Sequence, residues 1–243
     1  MIVSALNHLR LQLMKSPPIP RKGINVVRFV VLSDTHGQHF EFKKDSIPDD
    51  GDVLLHLGDV ADRGNVNHIR SFTKWLLSDE LPLSYRHKII ISGNHDRDLK
   101  DPNKFSLHHE YRDPAITFLD DEIIDIEGIK ILGLSWDSNF SSSILKTDTP
   151  IHLLLTHNYS KKSKAISNNL KIPIHLFGHY HRQRGIIAAD ENKLEINCCS
   201  LPSMEPVIID VKKNTGEIEL VHLANPSYFA AFHEPTLYKY VDF

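Results

Sequence analysis

The stretch VLLHLGDVADRG, Val53 to Gly64, sets an apolar run directly against two aspartates three residues apart with a glycine on either side. Runs of this length, rich in Val and Leu and stopped by Gly, read as strands buried on both faces. One Asp beyond a strand end is an ordinary turn residue, because its side chain bonds its own backbone there. A second carboxylate, Asp62 after Asp59, raises the question of a metal. The answer depends on what else the chain brings to the same place.

Working outward, the same grammar recurs four times. VVRFVVL leads into Ser33-Asp34-Thr35-His36-Gly37, and KIIIS into Gly93-Asn94-His95-Asp96. IHLLLT leads into His157-Asn158, and IHLF into Gly178-His179-Tyr180-His181. Ligand sites of α/β sheets gather outside the carboxyl ends of strands, where all five clusters fall. Between them, VNHIRSFTKWLL puts Ile69, Phe72 and Trp75 or Leu76 on one face of a crossover helix. After Ile116 the pattern turns to hairpins: Glu127-Gly128, Asp190 to Asn192, and Asn214 to Gly216 mark three turns. Helix-linked strands followed by hairpins predict an α/β protein of two mixed sheets facing each other with helices outside. No Pro or Gly linker interrupts Val26 to Leu223, so residues 1–243 are expected to form one domain.

Composition bounds the function. The 243 residues are 41% apolar, enough for a core, and the net charge of −3 gives no basic field for strong nucleic-acid binding. The two cysteines, Cys198 and Cys199, are adjacent, so a disulfide framework is excluded and a cytoplasmic location is the expectation. Residues 1–25 carry Arg10, Lys15, Arg21 and Lys22 with no acid, as a targeting leader can. Because Asn7, His8 and Arg10 break the apolar run, the preferred reading is an N-terminal helix or arm ended by Pro17, Pro18 and Pro20. No run approaches the roughly 18 apolar residues of a membrane span.

The donors collected by the loops are Asp34, His36, Asp59, Asn94, His157, His179 and His181, with no cysteine beside any of them. Nitrogen and oxygen ligands of this kind suit manganese, iron or zinc. Seven are too many for one ion. Two divalent ions sharing a carboxylate would use them all, and ions about 3.5 to 4 Å apart are the arrangement for displacement at phosphorus. His56, His152 and His175 sit within strand patterns and are expected to pack or hydrogen-bond, His39 follows the first loop as an outside candidate, and KKSK at Lys161 to Lys164 reads as a solvated helix face. His108 and His109 are expected to line or cover the pocket.

SDTHG, GDVADRG, GNHD, THN and GHYH, in that order from Ser33 to His181, resemble the signature blocks of the calcineurin-like metallophosphoesterase superfamily. GLSW at Gly133 to Trp136 and INCCSLPSMEPVIIDV at Ile196 to Val211 are similar to its MPPED-like branch of small metallophosphodiesterases. The resemblance implies a four-layer α/β/β/α sandwich. It implies that Asp34, His36 and His181 hold one ion, Asn94, His157 and His179 the other, and Asp59 bridges them. It gives His95 the role of general acid and Asp62 that of orienting it. Arg63 departs from that branch and is similar to the phosphate-gripping arginine of phosphoprotein phosphatases; a solvated turn residue is the alternative.

The function expected is a dinuclear phosphoesterase, a phosphodiesterase on small nucleotide-like or cyclic nucleotide substrates. A phosphomonoesterase or protein phosphatase is the alternative that Arg63 favours. A non-catalytic protein-binding scaffold on the same fold is the third, disfavoured because no ligand of the pattern is missing. Specificity is expected from the loops Arg97 to Pro114 and Asp137 to Pro150.

Overall fold

In the computed structural model the described residues are 10–14, 18–79, 81, 85–96, 116–140, 150–190, 193–224 and 228–229. They form two seven-stranded mixed sheets. The first runs β1 (Arg10–Met14), β13 (Ile218–Ala224), β12 (Val207–Lys212), β2 (Val26–Leu32), β3 (Val53–His56), β4 (His87–Ile90) and β5 (Ile116–Phe118). The second runs β14 (Tyr228–Phe229), β10 (Gly185–Asp190), β11 (Lys193–Asn197), β9 (Ile174–Phe177), β8 (Leu153–Thr156), β7 (Ile129–Leu134) and β6 (Glu122–Ile126).

The layers follow from which way each strand's alternate residues point. Val27, Phe29 and Val31 of β2 meet Ile131, Leu153, Leu155, Ile174 and Leu176 between the sheets. Val30 and Leu32 face the other way, onto Ile69, Phe72, Trp75 and Leu76 of helix α1 (Val66–Leu76). On the far side Leu132, Leu134 and Leu154 are covered by Ile166 of helix α2 (Lys161–Asn169). The result is an α/β/β/α sandwich. A strand covered on both faces needs apolar residues at every position, hence VVRFVVL without alternation. Its one charge, Arg28, is fully buried and forked onto Asp210 by two bonds of 2.7 Å.

Both helices begin where a side chain can satisfy the first free N–H groups. Asn65 accepts from Asn67 N at 3.1 Å, and Ser160 with Ser163 closes a capping box. The three lysines of the KKSK segment are exposed, as a solvated face should be. Two predicted hairpin turns also appear: β6 pairs antiparallel with β7 through Glu127 and Gly128, at φ 51° and 83°, and β12 with β13 through Asn214.

One segment differs from its reading. Arg10–Met14, expected as part of a helix or arm, is a strand that pairs parallel with β13, Arg10 opposite Leu220. The Leu-polar alternation of RLQLM is the two-residue strand period, and an open sheet edge offers the backbone partners that a short isolated helix lacks. No helix among the described residues is long and apolar enough to cross a membrane.

Candidate metal centre

The parallel strands β2, β3 and β4 of one sheet and β8 and β9 of the other end at the same rim, and their loops are stitched together by backbone bonds. Asp34 N donates to Gly58 O at 3.0 Å, His36 N to Asp59 O at 3.0 Å, and Gly178 N to His157 O at 2.9 Å. Five residues here adopt the left-handed backbone region: Asp34, His36, Asp59, Arg63 and His179, with φ of 57°, 44°, 58°, 48° and 70°. Non-glycine residues pay for that conformation, and such strain concentrates at functional sites. Close approach of the loops also needs missing side chains. A Cβ at Gly93 would strike Asp59, and one at Gly178 would strike Ser33 and Asp34.

All seven predicted donors converge. The ligand atoms of Asp34, His36 and Asp59 lie within 4.8 Å of one another, and so do those of Asp59, His157 and His179. Asp59 belongs to both groups. His181 Nε2 is 3.3 Å from Asp34 Oδ1 and 3.3 Å from His36 Nε2, while Asn94 Oδ1 is 3.1 Å from His157 Nε2. The outer ring nitrogens are tied down: His157 Nδ1 lies 2.8 Å from Leu57 O and His36 Nδ1 3.1 Å from Ala61 O. A ring nitrogen facing a carbonyl must carry the proton, so in their neutral form, the form that ligates a metal, both rings present an unprotonated Nε2 inward.

The electrostatics favour a cation at this point. Burial works against ionising Asp34, yet bonding to His181, the charge of His157 and a bond from Ser33 hold its carboxyl well below the usual range. Burial likewise opposes charge on His157, but bonding to Asp59 and the charges of Asp34 and Asp59 push its imidazole up to about 9. Two buried carboxylates that draw a proton onto a buried imidazole provide the field that would hold a divalent ion. The residues present fit such ions by donor type, direction and charge.

His95 lies beside the donor cluster, its ring centroid 4.9 Å from that of His36. Its backbone N donates to Asp59 Oδ1 at 2.8 Å. Its Nδ1 accepts from Arg63 N at 3.0 Å and lies 3.5 Å from Asp62 Oδ1. Asp62 lies near the histidine, but the shorter contact to Nδ1 is the Arg63 backbone. The Arg63 side chain is exposed. A cavity of about 410 Å³ opens over Asp59, Asn94, His95 and His179 and extends to Tyr180, Arg182 and Gln183; Arg63 does not line it.

Asp96 carries a role that the sequence reading missed. It is fully buried and accepts Val60 N at 3.2 Å, Ala61 N at 2.8 Å and Gly93 N at 3.0 Å, so it clamps the loop bearing Asp59 to the loop bearing Asn94. Burial pushes its carboxyl up to about 6, against the bonds from Ala61 and Gly93. Trp136 packs its ring 5.1 Å from His179 and 5.6 Å from His157. Among the histidines set aside, His56 meets Thr35 Oγ1 at 3.0 Å and His175 meets Thr156 Oγ1 at 2.9 Å, both buried. His152 Nδ1 accepts Lys130 N at 2.9 Å. His39, the outside candidate, is buried against Phe72 and Trp75 and joins none of the donor groups. Arg97 to Pro114, with His108 and His109, and most of Asp137 to Pro150 lie outside the described residues.

Residues 27–183 match the family described as calcineurin-like phosphoesterase. A UPF0046 protein of Caenorhabditis elegans is 26% identical over 79% of this chain and 84% of its own. Metallophosphoesterase domain-containing protein 1 of Homo sapiens is 24% identical over 80% of this chain and 74% of its own. Among solved structures, a conserved Streptococcus pneumoniae protein titled a predicted phosphoesterase aligns with TM-score 0.40 and 14% identity, over 78% of this chain and 85% of that one. Vps29 of Chaetomium thermophilum aligns with TM-score 0.40 and 13% identity, over 77% and 86%.

Proposed function

The chain belongs to the calcineurin-like phosphoesterase family, and we propose that this metal-dependent phosphoesterase cleaves a phosphodiester, with nucleotide-like or cyclic nucleotide substrates. Asp34, His36 and His181 would hold one divalent ion, Asn94, His157 and His179 the second, and Asp59 would be shared; its membership of both donor groups supports this division. Manganese is the preferred ion for the mixed nitrogen and oxygen set, with iron or zinc next. Ions held there would supply Lewis acidity at phosphoryl oxygens and lower the pKa of water to near neutral pH.

The chain's own contribution is to the leaving group. With Nδ1 accepting from Arg63 N, neutral His95 carries its proton on Nε2, and the ring forms part of the cavity wall beside Asp59 and Asn94. To donate to the departing oxygen the ring needs a second proton on Nδ1, facing Asp62 in place of the Arg63 N–H; the imidazolium then gives up its Nε2 proton and is left neutral, a role worth about 10²- to 10⁴-fold in rate. Asp62 faces Nδ1 and positions the ring.

The observation that carries the diester reading is the shape of the cleft. It continues beyond the metal donors to Tyr180, Arg182 and Gln183, leaving room for a second ester group, and Arg63 stands outside it. The monoester reading rests on Arg63 occupying the same loop as Asp62, two positions beyond Ala61 at φ 48°. Metal-loaded protein assayed side by side on bis-p-nitrophenyl phosphate, p-nitrophenyl phosphate and both regioisomers of cyclic nucleotide separates the two. Diester turnover should dominate, and Arg63→Ala should leave it unchanged. Dominant monoester turnover that falls in Arg63→Ala reverses the ranking.

A further inference from the structure

The turn that carries His181 is held more firmly than a surface turn needs to be. Gln183 N donates to Tyr180 O at 2.9 Å, closing a turn with His181 and Arg182 at its two central positions. Asn197, fully buried in β11, donates through Nδ2 to Tyr180 O at 2.8 Å and to Gln183 O at 2.9 Å. One residue after the turn, the buried Arg184 gives its guanidinium to Cys199 O at 2.7 Å, Pro206 O at 2.8 Å and Ala224 O at 3.2 Å. The Tyr180 hydroxyl is tied as well, donating to Asn158 Oδ1 at 2.9 Å. Buried polar groups persist where their bonds are made. Here those bonds fix the backbone on both sides of Arg182 and Gln183, whose side chains are exposed.

Both side chains line the cleft of about 410 Å³ that opens over Asp59, Asn94 and His95. Among the described residues that line it, Arg182 alone carries a fixed positive charge. The scissile phosphate has no need of that charge. The donor set holds two carboxylates, Asp34 and Asp59, so two divalent ions would outweigh them by two charges, and a phosphodiester brings a single negative one. A guanidinium placed on the same turn as a metal donor, facing the same cleft, calls for a further anion. Its planar fork matches phosphate oxygens two at a time.

We infer that Arg182 sets specificity by binding a second phosphate, carried on the far ester arm of the substrate, so that the preferred diesters are those of a nucleoside bearing a further phosphate. The inference rests on the diester reading and adds to it the chemistry of the arm that is not cleaved. Arg182 touches substrate and takes no part in the proton transfer assigned to His95.

Thymidine 3′,5′-bisphosphate and thymidine 5′-phosphate are titrated by calorimetry into the manganese-loaded full chain, and p-nitrophenyl thymidine 5′-phosphate and its 3′-phosphorylated form are assayed beside them. The bisphosphate should bind at least about tenfold more tightly than the monophosphate, the scale of one charge-assisted pair. Arg182→Gln should reduce that ratio to about threefold or less, with manganese stoichiometry unchanged. The p-nitrophenyl pair tests the diester reading by itself: if neither is hydrolysed that reading fails, while the binding ratio still decides on Arg182. The inference is overturned if the wild-type ratio is below about tenfold or if a ratio above about threefold survives in Arg182→Gln. It is also overturned if that variant loses manganese, which would make Arg182 a support of the metal-bearing turn instead of a substrate contact.

Discussion

Replacing Asp96 with Ala removes the acceptor of three buried backbone N–H groups, those of Val60, Ala61 and Gly93. Each buried donor left unpaired costs about 1–3 kcal/mol, so three cost at least about 3 kcal/mol even when water enters the space and recovers part of it. For a domain of this size a loss of 1 kcal/mol lowers Tm by about 2–4 °C, which puts Asp96→Ala about 6–12 °C below the parent. Asp96→Asn keeps one acceptor oxygen and should fall in between. The clamp also fixes the distance between the Asp59 and Asn94 loops, and loss of an outer partner of metal ligands typically costs about 10- to 100-fold in metal affinity. Scanning calorimetry at about pH 7.5, with manganese titration of the folded variant, tests both parts. A Tm within about 2 °C of the parent, with unchanged manganese affinity, refutes the reasoning, because three unpaired buried donors cannot be that cheap.

Replacing His95 with Asn should keep the metals and lose about 10²-fold or more in turnover on diesters with poor leaving groups, and far less on p-nitrophenyl esters, which depart without a proton; equal slowing on both ends the proton-donor assignment. Stability should fall with acid, because burial lowers the imidazoles of His39 to about 4, His56 to about 3 and His222 to about 4. The unfolded chain takes up these protons near pH 6.5 and the fold refuses them, so the contribution is complete above about pH 6.5 and is lost as pH falls towards 4. Urea midpoints between pH 7 and 5 should drop with a slope of up to about 1.4 kcal/mol per pH unit for each such histidine, and His222→Gln, distant from the metal ligands, should flatten it; an unchanged slope contradicts the assignment.

Strand positions and donor identities were legible because both follow from local pattern. The runs before Ser33, Gly58, Gly93, His157 and Gly178 all became strands, since a strand buried on both faces must be apolar throughout. What one sequence does not carry is geometry set by partners far along the chain. The left-handed backbone of Asp34, Asp59 and His179 is imposed by loops packing on loops, which hides it from any residue preference. Nothing in the GNHD block marks Asp96, and the approach of the Gly58–Ala61 loop, adding two donors to the N–H of Gly93, makes it a triple acceptor. RLQLM misled because an amphipathic helix and an edge strand compete closely over so few residues, and β13 supplied the deciding partner.

The measurement that bears most directly on the paired metal centre is metal stoichiometry in the wild type, Asp59→Asn and His36→Ala. The arrangement predicts about two ions per chain in the wild type, weakening of both together in Asp59→Asn, and selective loss of one in His36→Ala. A single ion per active chain, or loss of only one ion in Asp59→Asn, would contradict a carboxylate shared between two metals.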